Sequence, residues 1–202
     1  MPQRLKNLFW NHRSFKGKIA SVLFLLFFFY QLWILLHIIL WTVINPGESA
    51  FMETRLEHLQ EKDEKATLRH QWVNYNQISI NIKQAVIAAE DAKFIDHEGF
   101  DWEGIEKAYE KNKRRKKIVA GGSTISQQLA KNLFLSNQRT PWRKAEETII
   151  TLMLETILSK QRILEIYLNV IEWGNNVYGI EAASLRYFSS HAKDLNSFQS
   201  AK

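Results

Sequence analysis

Three short stretches of this 202-residue chain bring together side chains able to do chemistry. The first is Glu90-Asp91-Ala92-Lys93-Phe94-Ile95-Asp96-His97-Glu98-Gly99. Glu90 falls where an apolar helical stretch ends, so its carboxylate can emerge from a hydrophobic wall. Partial desolvation there would raise its pKa and make it a usable general base or acid, although an acid at a helix end is often a plain surface group. The second is Gly121-Gly122-Ser123-Thr124-Ile125-Ser126-Gln127-Gln128-Leu129-Ala130-Lys131-Asn132. Its glycines permit close backbone approach, and Ser123 or Thr124 can cap a helix whose free N–H groups suit an anion such as phosphate. Gln127, Gln128 and Lys131 fit either a polar cleft or a solvated face, and the Gly-Lys-Ser/Thr order of a Walker loop is missing. The third is Arg139-Thr140-Pro141-Trp142-Arg143-Lys144-Ala145-Glu146-Glu147. Arg143 and Glu147 stand at i and i+4, which makes either an ordinary ion pair or a cationic clamp for a phosphoryl group with a carboxylate in reach.

The elements that must position these stretches read as helices. Ile82, Ala85, Val86 and Ala89 recur at helical spacing, as do Ile125, Leu129 and Leu133. Further helices are predicted from about Arg143 to Leu158, from a Ser159 cap through Ile163–Ile171 to near Gly174, and over Ile180–Phe188. No alternating strand pattern and no internal repeat interrupts them, so the predicted fold class is all-α. Residues 48–76 are charged and polar and read as a solvated helix or juxtamembrane stalk. Lys111–Lys117 holds six Lys or Arg in seven residues. It reads as a mobile solvated loop, or as a surface attracted to anionic lipid headgroups or a phosphorylated substrate.

Composition narrows the classes. The chain has no cysteine, which excludes a disulfide framework, a thiolate zinc site and a cysteine nucleophile. The net charge is +6, but Arg4, Lys6, Arg13, Lys16 and Lys18 supply most of it, so a general nucleic-acid surface is not indicated. Ile19–Ile44 runs 26 residues without Asp, Glu, Lys or Arg. As a helix it would reach roughly 39 Å, enough to cross a ~30 Å hydrocarbon layer with tilt. A cleaved signal peptide would have a much shorter apolar core. The basic flank precedes the span and Glu48, Glu53 and Glu57 follow it, so the N-terminus is expected in the cytoplasm and residues 45–202 outside. The expected organisation is a basic tail over 1–18, a transmembrane helix over 19–44, a stalk over 45–76 and a catalytic domain over 77–202.

In this order and spacing, Glu-Asp-x-x-Phe-x-x-His-x-Gly, Gly-Gly-Ser-Thr-Ile-x-Gln-Gln-Leu-x-Lys-Asn and Arg-Lys-x-x-Glu closely resemble the peptidoglycan glycosyltransferases of family 51. Ser159–Asn169 and Val177–Ala183 extend the resemblance, which covers about Gln77 to Phe188. With one anchor and no second enzyme domain, the chain is most similar to the monofunctional biosynthetic transglycosylases of that family.

The resemblance implies a lysozyme-like helical fold and polymerisation of lipid II into β-1,4-linked glycan with release of undecaprenyl pyrophosphate. It makes Glu90 the general base and Glu147 a second catalytic carboxylate that orients cations or a metal. Lys131, Arg139, Arg143 and Lys144 become pyrophosphate-binding cations, and Ser123, Thr124, Gln127, Gln128 and Asn132 substrate-binding residues. Asp91, Phe94, His97 and Gly99 would support the loop of Glu90. It admits a divalent cation, Mg²⁺ or Mn²⁺, without fixing a metal site, and no organic cofactor. Implied partners are lipid II, the growing lipid-linked glycan, membrane lipids and other cell-wall synthesis or division proteins, with no nucleic acid. The implied location is the bacterial inner membrane, with the catalytic domain periplasmic. Two departures stand out. Ser189-Ser190 replaces the usual Gly-Lys after Tyr-Phe, and the chain stops at Lys202 where members continue into a further apolar helix, which suggests a truncated C-terminus. The rival readings are a muramidase, against which the phosphate-binding cations argue, and a non-catalytic membrane scaffold.

Overall fold

The structure is a computed structural model that describes residues 15–202, so residues 1–14 of the expected basic tail lie outside the described residues. Helix α1 spans Phe15–Leu40, followed by a turn through residue 44. The expected span of Ile19–Ile44 thus begins later and ends later than the helix itself. Lys16 and Lys18 are good helix formers that extend it at one end. At the other end the chain tightens into turns before Asn45-Pro46-Gly47. Among the described residues, α1 is the one helix long and apolar enough to cross a membrane.

The remaining helices are α2 (Ala50–Gln60), α3 (Ile80–Glu90), α4 (Trp102–Arg115), α5 (Ile125–Phe134), α6 (Pro141–Ile157), α7 (Lys160–Val170), α8 (Ile180–Phe188) and the short α9 (Ser197–Ser200). Single-residue caps start most of them. Ser79, Asp101, Thr124, Thr140 and Ser159 each accept a backbone N–H of the first turn of α3 to α7. Such caps satisfy donors that the helix cannot pair internally.

The core is built around α5 and α7. Ile125, Leu129 and Leu133 of α5 meet Ile150 and Leu154 of α6, and all eight residues from Ile163 to Val170 of α7 are buried. A helix buried all round must satisfy its polar side chains within the protein. Asn169 does so by exchanging two bonds with the backbone of Val73, and Glu165 accepts the Tyr75 N–H at 2.8 Å. These bonds weld the segment before α3 onto the core. The expected stalk is therefore only partly one. Its α2 half is partly exposed around the buried Met52, whereas residues 69–75 are integral to the fold.

Two further departures from sequence expectation appear. A small three-stranded sheet orders as β1-β3-β2, where β1 is Arg69–His70, β2 Glu172–Gly174 and β3 Val177–Tyr178. β1 runs parallel to β3 with Arg69 opposite Val177, and β2 runs antiparallel to it. Strands of two or three residues carry too little alternation to be seen in sequence. The basic tract is also not simply a mobile loop, because Lys111–Arg115 close helix α4. Cations there face the carbonyl end of the helix dipole. Lys116 ends the helix in the left-handed region (φ 51°), and the Asn112 side chain ties back the following segment through Val119 N (2.7 Å) and Ala120 N (2.9 Å).

Candidate active site

Glu90 is the last residue of α3, and its carboxylate is exposed rather than set into an apolar wall. What positions it is Gln128 of α5, whose Nε2 donates to Glu90 Oε2 at 2.8 Å. The amide is held in turn: the Tyr167 hydroxyl of α7 donates to Gln128 Oε1 at 3.1 Å. Burial pushes the Tyr167 phenol well up, and the Glu90 and Asp91 carboxylates add to the effect, so the proton that orients Gln128 stays in place.

The loop after Glu90 is tied to the start of α5. Asp91, almost fully buried, accepts the Ile125 N–H at 3.0 Å and pairs with His97 Nε2 at 2.8 Å. His97 Nδ1 accepts the Gly99 N–H at 3.1 Å, which assigns the proton to Nε2 and makes the ring the donor to Asp91. Phe94 is completely buried beneath this pair, and the Thr124 hydroxyl donates to the Gly99 carbonyl at 2.7 Å. Asp91, Phe94, His97 and Gly99 therefore act on the backbone that carries Glu90.

The cations assemble around Glu147. This carboxylate is 3% exposed, accepts from Arg143 Nη1 at 2.5 Å and pairs with Lys144 Nζ. A carboxylate so desolvated needs such partners. Lys131 belongs to the same group. Half-burial pushes its ammonium pKa down; Glu147 opposes the shift, and Arg143, Lys144 and Arg139 reinforce it. Arg139 itself is exposed on the segment between α5 and α6. The excess of positive charge, with the Arg143 Nε buried and lacking an acceptor among the described residues, suits a polyanion.

One helix joins the two halves. Gln128 and Lys131 are three residues apart on α5 and so share a face, with Asn132 a neighbour whose Nδ2 donates to the Gln128 carbonyl at 2.8 Å. Ser123 is exposed just before the helix. Thr124 and Gln127 do not line the open face. They are buried and joined in a reciprocal capping box, Thr124 N to Gln127 Oε1 and Gln127 N to Thr124 Oγ1. The pattern Thr-x-x-Gln is itself a capping signature, which competes with any substrate role.

Four contributors were not apparent from sequence: Tyr167, Ser126, Glu155 and Lys160. Ser126 and Lys160 both bond Glu155, and Lys160 Nζ also donates to the His97 carbonyl at 2.5 Å. Ser126, Lys160 and Tyr167 lie inside stretches that carry the resemblance, which was the available signal for them, whereas Glu155 lies outside those stretches. No ready-made protein ligand set for the expected Mg²⁺ or Mn²⁺ stands at Glu147. Both oxygens of Glu147 are committed to cations, and no group of three or more His, Asp or Glu able to hold a metal occurs among the described residues.

An exposed acid held by an amide thus lies against the helix that also carries Lys131 of the cation cluster. The sequence profile of the transglycosylase family matches residues 55–202. The chain is 63% identical over 185 residues to the biosynthetic peptidoglycan transglycosylase of Chromobacterium violaceum, covering 92% of this chain and 81% of that protein. It is 58% identical over 198 residues to the protein of the same name from Methylobacillus flagellatus, covering 98% and 83%. The chain belongs to the transglycosylase family, and is an enzyme of the peptidoglycan glycosyltransferase class.

Proposed function

We propose that this transglycosylase polymerises lipid II, with Glu90 as general base and inversion at the donor anomeric carbon. Glu90 takes the proton of the acceptor 4-hydroxyl as that oxygen attacks the donor C1. The bond from C1 to the diphosphate breaks on the opposite face, and its electron pair leaves with the undecaprenyl diphosphate. An α-linked donor thus yields a β-1,4 bond. Lys131, Arg139, Arg143 and Lys144 neutralise the charge that grows on the leaving diphosphate, and Glu147 keeps these mutually repelling groups together. Glu90 is exposed in the free enzyme, so its desolvation comes from the bound acceptor sugar. With α1 as a single-pass anchor, the N-terminus is cytoplasmic and the catalytic domain lies outside the inner membrane.

The observation that carries this reading is the placement of Glu90, through Gln128, on the face of α5 that also presents Lys131 to the Glu147 cluster. Its test is polymerisation of purified lipid II by the parent, Glu90→Gln and Glu147→Gln. The parent is expected to form glycan, and Glu90→Gln to lose roughly 10²–10⁴-fold in rate. Glu147→Gln is expected to lose turnover as its cations separate. A Glu90→Gln protein that polymerises at the parental rate would overturn the assignment.

A further inference from the structure

The anchor is not a leash. The Ile34 and Ile38 side chains of α1 are fully buried against the domain, Trp41 stacks on Phe134 of α5 at 5.1 Å, and Phe27 meets Trp142 of α6 at 6.0 Å. At the outer end of α1 the contact becomes polar, and one side chain makes it. Arg162, in the first turn of α7, donates through Nε to the Trp41 carbonyl at 2.8 Å. Its Nη2 donates to the Ile44 carbonyl at 2.6 Å and to Asn45 Oδ1 at 2.9 Å. These carbonyls lie in the turn that follows α1, and the planar fork of arginine can satisfy several such acceptors at once. The remaining edge of the guanidinium is fixed by Glu165 Oε2 at 2.7 Å, and Glu165 is itself held by the Tyr75 N–H. Arg162 is 15% exposed at its side chain and Glu165 12%, so this ion pair is largely shielded from water while the bonds to Ile44 and Asn45 lie at the surface.

The same helix reaches the catalytic face. Five residues beyond Arg162, Tyr167 holds Gln128, and Gln128 holds Glu90. We propose that Arg162 locks the outer end of the anchor to the catalytic domain and so sets the angle at which the Glu90 face meets the bilayer, a positioning residue for a membrane-borne substrate. This rests on the lipid II reading above. A substrate whose tail lies in the membrane presents its sugar at a fixed height and tilt, so a domain that swivels on its anchor loses productive encounters. In a detergent micelle no membrane plane exists, and the angle no longer matters.

The full-length protein is compared with Arg162→Gln and Arg162→Lys, each assayed on lipid II in detergent and in phospholipid vesicles. In vesicles Arg162→Gln is expected to fall about tenfold, with Arg162→Lys recovering part of the loss, while in detergent both stay within about twofold of the parent. Equal losses in the two media would make Arg162 a purely structural residue, and no loss in vesicles would make the joint irrelevant; either overturns the proposal. A parent inactive on lipid II would instead count against the substrate assignment, and a second measurement then still decides. The chain has no cysteine, so nitroxides attached at Leu23→Cys on α1 and Leu152→Cys on α6, both exposed, report the anchor-to-domain distance without background. The distance distribution in vesicles is narrow in the parent and broad in Arg162→Gln if the lock is real; matching distributions would refute it.

Discussion

Lys131 carries the sharpest conflict among the individual residues. Its ammonium is half-buried among cations, and its pKa falls below the usual 10.5 because burial disfavours the charged form. The folded state thus holds this proton less tightly than the unfolded chain. The sign follows: as pH rises from the lowered value to 10.5, the folding penalty of the charge is relieved and stability increases. On the proposed mechanism activity moves the other way, because a neutral amine would not balance the diphosphate. The alkaline limb of the kcat/KM profile is expected to begin below 10.5 and to move upward in Lys131→Arg, whose charge persists across that window. Superimposable limbs in the two pH profiles would remove Lys131 from the leaving-group site. Glu90 shows the converse lesson. Its position at the end of an apolar helix was legible in sequence, but its exposure was not, because the partner that orients it lies 38 residues away.

Helices with strong apolar spacing and a capping residue were legible from sequence, as α3, α5 and α7 illustrate, since both signals lie within one turn of chain. Helix α4 was hidden because its charged C-terminal half reads as a solvated run, and its evidence is the Asp101 cap and the later Asn112 clasp. The pairing of β1 with β3 and the welding of residues 69–75 depend on Val177 and Asn169, about a hundred residues downstream, which no local pattern encodes. The loop between α3 and α4 depends on Gly99 in a similar way. Gly99 sits at φ +89°, and a Cβ there would lie 2.8 Å from Thr151 Cγ2 and 3.0 Å from Glu155 Cγ. Gly99→Ala is expected to lose about 1–3 kcal/mol in denaturant unfolding. It should also slow turnover as the Asp91–His97 clasp shifts. Gly47→Ala, with nothing within 4 Å of the added methyl, is the control and is expected to change stability by less than about 0.5 kcal/mol. Similar unfolding midpoints for the two variants would show that the loop tolerates the strain.

Across the whole molecule, α1 has two kinds of face. Most of its side chains are exposed and apolar, as a lipid-facing helix requires, while Ile34, Ile38 and Trp41 belong to the same continuous core as α5 and α7. The span expected from sequence as a transmembrane helix followed by a stalk is therefore packed into the core of the domain. This has a thermodynamic consequence. If anchor and domain share one core, the protein in micelles should unfold in a single cooperative transition. Trp41 tests the point because it is 9% exposed and stacks on Phe134 at an interplanar angle of 27°. Trp41→Ala removes a large side chain from that seam and is expected to destabilise the catalytic domain itself, by about 3 kcal/mol. The measurement is thermal unfolding followed by near-ultraviolet circular dichroism and by protection of the α5 amides. A domain transition that stays at the parental temperature in Trp41→Ala would mean that the anchor only rests against the domain. A lowered transition with loss of protection in α5 would mean that α1 and α5 stand or fall together.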